Sequence, residues 1–73
     1  MPRLPRVTAK QIITVLEKHG FALSRQSGSH MIYIKNKKRA TVPFHGTIIL
    51  HPKVLKSILR DADMTIEELD KEL

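Results

Sequence analysis

The chain has 73 residues, no cysteine and a formal net charge of +6. This length yields one thin-cored domain spanning residues 1–73, and the missing thiols exclude disulfides and Cys-ligated zinc. No segment approaches the roughly 18 apolar residues of a membrane span, and Met1-Pro2-Arg3-Leu4-Pro5-Arg6 lacks a signal-peptide core, so a cytoplasmic location is expected. Charge is divided unevenly. Residues 1–60 hold twelve of the thirteen Lys and Arg against Glu17 alone, a balance of +11, whereas residues 61–73 hold six acids against Lys71, a balance of −5. Charge of this density attracts polyanions, of which phosphate backbones are the commonest.

Residues 1–6 read as a flexible arm. Thr8-Ala9-Lys10-Gln11 is a capping-box pattern flanked by a Val7/Ile12 staple. Ala9, Ile12, Ile13 and Leu16 recur at helical spacing, and Gly20 supplies a left-handed stop, so a helix is predicted over about 8–19. Phe21-Ala22-Leu23-Ser24-Arg25 alternates as a half-buried strand does, Gln26-Ser27-Gly28-Ser29 turns, and His30 to Lys35 forms a second strand. Asn36-Lys37-Lys38 returns the chain into Arg39-Ala40-Thr41-Val42, which Pro43 ends. Beyond a loop through Phe44-His45-Gly46, Pro52 suits the first turn of a second helix whose Leu55, Ile58, Leu59 and Ala62 share one face. Lys53, Lys56 and Arg60 form a basic row on that helix. Thr65-Ile66-Glu67-Glu68 opens a short acidic terminal helix over 65–73, with Met64 and Leu69 as its staple and its first-turn acids suited to the helix dipole. The expected class is α+β, order α-β-β-β-α-α, with a three-stranded antiparallel sheet packed on helices and its other face open.

Chemistry is constrained mainly by what is missing. From Lys18 to Arg60 there is no Asp or Glu, so the carboxylate cluster of a magnesium nuclease cannot be built in the sheet. The four histidines match no familiar zinc spacing, no Gly-rich phosphate loop is present, and no cofactor is called for. Metal-free RNA cleavage makes smaller demands. RNA supplies its own 2′-hydroxyl nucleophile, histidine moves protons near neutrality, and Lys, Arg and backbone N–H groups stabilise charge on phosphorus. His30 follows the Gly28-Ser29 turn, where backbone can approach a phosphate closely. Spacing alone allows His30 to be an acid–base group or a surface strand residue. His45 is an accessory acid–base group or closes its loop by hydrogen bonding. His19 reads as a dipole partner at a helix end, and His51 as a helix-start or surface residue. Tyr33 can stack a base or pack in the core. Arg25, Gly28, Ser29, Lys35, Lys37, Lys38 and Arg39 are the candidate substrate-binding residues. A rival reading is a non-catalytic RNA-binding module with the same basic surface; a third makes the acidic terminal helix a partner interface.

Taken together, Gly20-Phe21, Arg25-Gln26-x-Gly28-Ser29-His30, Thr41-Val42-Pro43-x-His45 and Leu55-x-x-Ile58-Leu59-x-x-Ala62 resemble the HicA family of mRNA interferase toxins. The resemblance implies a fold similar to a double-stranded RNA-binding domain, ribosome-independent cleavage of mRNA with His30 as the catalytic residue, and inhibition by a HicB-type antitoxin that covers the active site. The chain departs from the family pattern at His51-Pro52, where relatives begin the helix after glycine, and at Asp63, where they often carry glycine.

Overall fold

Thr8 opens the first helix as its neighbours dictate. Its hydroxyl accepts the Gln11 N–H at 3.2 Å, and its own N–H donates to Gln11 Oε1 at 2.8 Å, so two otherwise orphaned donors are satisfied. Helix α1 runs Ala9–Lys18. At its end Gly20 takes φ +92°; its N–H reaches Glu17 O and the Phe21 N–H reaches Leu16 O, both at 3.0 Å. That double bond pattern is a Schellman stop, and Leu16 and Phe21 are both buried as its apolar pair. The computed structural model describes residues 4–45 and 47–73. Of the arm expected over 1–6, residues 1–3 lie outside the described residues, whereas Leu4 packs against the core.

Strands β1 (Ala22–Ser27), β2 (His30–Lys35) and β3 (Lys38–Pro43) form one antiparallel meander in that order. Both hairpins use two-residue loops, Gly28-Ser29 and Asn36-Lys37, and the first loop residue has positive φ in each, +58° for Gly28 and +55° for Asn36. Asn is among the few side chains that tolerate this region, which is how the second turn closes without glycine. Alternation predicts a half-buried first strand, yet all six residues of β1 are exposed, and Phe21 just before it carries the burial. The reason is lateral: the helices pack principally over β3, so β1 is an edge beyond their reach.

Helix α2 (Pro52–Asp61) and helix α3 (Ile66–Glu72) follow. His51 caps α2, its Nδ1 accepting the Lys53 N–H at 3.1 Å. Asp63 ends it at φ +55°, with its N–H on Arg60 O and the Met64 N–H on Leu59 O. This is a second Schellman stop, with aspartate standing where glycine is usual. The core gathers Ile12, Leu16, Leu55, Ile58 and Leu69 between the helices and one sheet face. Acidic α3 is held mainly by Leu69, which is fully buried: such burial is worth about 1.5–3 kcal/mol. The Lys18–Glu72 and His19–Glu72 contacts, at 3.8 and 3.7 Å and partly exposed, are each worth at most about 1 kcal/mol. Among the described residues no helix is long and apolar enough to cross a membrane.

Candidate active site

Strand pairing decides which side chains share a face, because residues directly opposite in a ladder project the same way. Met31, Tyr33, Ala40 and Val42 point to the helices and join the core. His30, Ile32 and Ile34 therefore lie on the other face, together with their partners Ser27 and Pro43, Arg25 and Thr41, Ala22 and Arg39. Among the described residues no helix packs on this side as α1 and α2 pack on the other. His30 is exposed, and among the described residues its imidazole has no hydrogen-bond or ion-pair partner. Ile32 is nevertheless only 7% exposed and stands outside the main core, since the side chains of Arg25 and Thr41 flank it and long stems cover apolar neighbours.

A bulge determines what stands beside His30. Simple alternation along β1 would put Leu23 and Arg25 on the same face. The register instead shifts between them, leaving Ser24 as the extra residue, so Leu23 opposes Tyr33 while Arg25 opposes Ile32. Bulges of this kind re-aim side chains at sheet edges. Arg25 thereby becomes a diagonal neighbour of His30, at about 7–8 Å. Arg39 stands on the same face but about 13 Å along the strand. Lys37 is exposed at the far turn.

The two remaining candidate lysines lie elsewhere. Lys35 shares the face of Met31 and Tyr33, and its chain runs over Gly20, with Nζ 3.6 Å from where a Cβ there would stand. A cation at the carboxyl end of α1 suits the helix dipole. Lys38 opposes Lys35 and pairs with Asp63 at 3.6 Å. Parity in the sequence was the signal: residues 30 and 35 of one strand are an odd number apart and so face opposite ways. Tyr33 is buried, and that burial raises its hydroxyl pKa, helped by the charge of Glu17. It packs in the core and stacks no base.

The turn itself is built to be approached. A Cβ added at Gly28 would meet nothing within 4 Å, so the glycine answers to its backbone angle and leaves open space beside it. Gln26 Nε2 donates to Gly28 O at 3.1 Å, and the Phe44 N–H donates to Ser29 O at 2.6 Å. Both carbonyls are thus engaged, whereas among the described residues the N–H groups of Gly28 and Ser29 have no protein acceptor. The two amides are available to an anion. Gln26, which local sequence marks as a turn residue, thus braces that turn.

His45 is exposed in the loop after β3, beside Gly46, which lies outside the described residues. The loop returns through Leu50, whose N–H donates to Val7 O at 2.8 Å, and through an Ile49–Thr8 bridge. His45 and His51 line one groove together. Among the described residues no three His, Asp or Glu side chains converge as metal ligands. The arrangement offers a free imidazole, two free amides and arginine charge on one open surface, with the acidic segment held at the helix side.

The family model for the HicA toxin of bacterial toxin-antitoxin systems matches residues 9–64, a span that takes in α1, the whole sheet and α2. Comparison with curated proteins finds no match. With more than half of the chain covered by that match, it belongs to the HicA toxin family.

Proposed function

We propose that the chain works as a single domain and is a metal-independent endoribonuclease, an mRNA interferase that uses His30 to cut RNA. Family membership carries with it a toxin role and an antitoxin partner; a HicB-type antitoxin, mRNA as substrate and a cytoplasmic setting belong to this proposal. The observation that carries it is the composition of the open sheet face, where exposed His30 stands with Arg25, Ser27 and Arg39 and without a carboxylate.

In this reading the scissile phosphate lies against the Gly28-Ser29 amides, with Arg25 facing its oxygens. His30 removes the 2′-hydroxyl proton as O2′ bonds to phosphorus. The bond from phosphorus to O5′ breaks, O5′ receives a proton, and the products carry a 2′,3′-cyclic phosphate and a 5′-hydroxyl. Acid–base work of this kind is typically worth about 10² to 10⁴-fold, and preorganised donors stabilise the extra charge on phosphorus. His45 is an accessory proton-transfer candidate. Lys37 and Arg39 hold flanking backbone, whereas Lys35 and Lys38, turned to the helix side, contribute only long-range charge.

A non-catalytic RNA-binding module is favoured by one observation, that no described residue orients the His30 ring. The two readings separate on product chemistry. RNA incubated with the protein in EDTA is expected to yield 2′,3′-cyclic phosphate ends, and a 2′-deoxy substitution at a cut site is expected to block that cut. Intact RNA after long incubation, or cleavage that EDTA abolishes, contradicts the proposal.

A further inference from the structure

Next to the open sheet face lies a groove of about 350 Å³ whose walls include Pro43, His45, Ile48, His51 and Val54. Ligand clefts run from roughly 300 to 1,000 Å³, so this one suits a single ring system. Two observations connect it to the site. Pro43 is both a wall of the groove and the cross-strand partner of His30, which puts the groove's edge about 5 Å from His30 in backbone terms. Ile48 is 66% exposed, an apolar side chain at the mouth of a groove in a strongly basic protein.

The polar groups of the groove also have a definite sense. His51 Nδ1 accepts the Lys53 N–H, so in the neutral ring the proton sits on Nε2 and that nitrogen is a donor. No Asp or Glu contributes to the lining. Lys53 and Lys56 are exposed on the adjoining first turns of α2. Apolar walls, two imidazoles, one ring N–H donor and flanking lysines suit a nucleobase on its own backbone.

We propose that this groove receives one nucleobase of the RNA, beside the phosphate placed at His30, and sets which nucleotide borders the cut. Ile48 and Val54 pack on the ring, and His51 Nε2–H donates to an acceptor on its edge. The inference rests on the RNA-cleaving reading of His30 but has its own test. The full-length His30→Ala protein, methyl-labelled at Ile and Val, is titrated with four 2′-O-methyl homotetranucleotides. The Ile48 and Val54 methyls are expected to shift, with the best base binding about tenfold more tightly than the poorest. Shifts at the Ile32 and Ile34 methyls, which share the open face with Arg25 and Arg39, with silent groove methyls, or groove methyls that answer only to the antitoxin protein, overturn the base site and leave the His30 reading standing. RNA that shifts neither surface removes both. In the active protein, Ile48→Ala and His51→Asn are expected to flatten the preference among cut sites about tenfold, asparagine keeping the helix cap. A cleavage map identical to the parent's overturns the proposal.

Discussion

The two faces of the sheet carry the same kinds of residue to opposite ends. On the helix side, Lys35 lies over the carboxyl end of α1 and Lys38 meets Asp63; around them Tyr33, Ala40 and Val42 are buried. On the open side, Arg25 and Arg39 share the surface with exposed His30, and no acid faces them. Four of the five cations from residue 25 to residue 39 thus divide by strand parity and one bulge into a pair engaged on the helix side and a pair exposed on the open face. The acidic terminus sharpens the division. Through Glu72 and Asp63 it meets Lys18, His19 and Lys38 on the helix side, whereas Arg25 and Arg39 on the open face have no such partner among the described residues.

The contrast is broken most severely from beneath the helix side. Leu55→Ala is expected to cost about 2–5 kcal/mol, whereas Thr41→Ala, beside Ile32 on the open face, stays within about 0.5 kcal/mol; urea unfolding followed by circular dichroism compares them. Next come the cations. Arg25→Ala and Arg39→Ala are each expected to flatten the salt dependence of RNA binding by about 0.7 in log–log slope, while Lys35→Ala and Lys38→Ala move it less. Equal slopes for all four variants contradict the division.

Smaller effects probe the turns and caps that hold the two faces in place. Gly28→Ala is expected to cost about 1–2 kcal/mol through its positive φ alone, because nothing crowds the site, and Gly28→Asn recovers part of it. Thermal melts check both. The smallest effect is acid weakening of α3. Glu68 has its pKa lowered, first by the Thr65 backbone N–H and then by the Thr65 hydroxyl. A carboxylate whose folded value lies below its unfolded one stabilises fully above the unfolded value, about 4.3, and loses that stabilisation as pH falls through the folded value. Glu68→Gln is expected to reduce the acid slope of stability below about pH 4.3, read from melts across pH.

Much of this was legible in the chain. Both capping boxes, the Gly20 stop and the order of strands follow from local chemistry, and local chemistry is where they were decided. His30 at the head of the central strand followed from the Gly28-Ser29 turn. The Ser24 bulge was not legible, since no glycine or proline marks it and only pairing with β2 reveals the extra residue. Grouping Lys35 and Lys38 with His30 came from nearness in sequence, which parity overrides. The groove beside Pro43 depends on how the 44–51 loop returns to Val7 and Thr8, a long-range contact that no periodicity announces.

The measurement that tests the central claim most directly is cleavage and RNA binding by His30→Ala in EDTA, with the melting temperature recorded alongside. His30 is exposed and has no side-chain partner among the described residues, so folding and RNA Kd are expected to stay close to the parent's while cleavage falls about 10² to 10⁴-fold. Cleavage at the parent's rate by a folded His30→Ala protein would contradict the account.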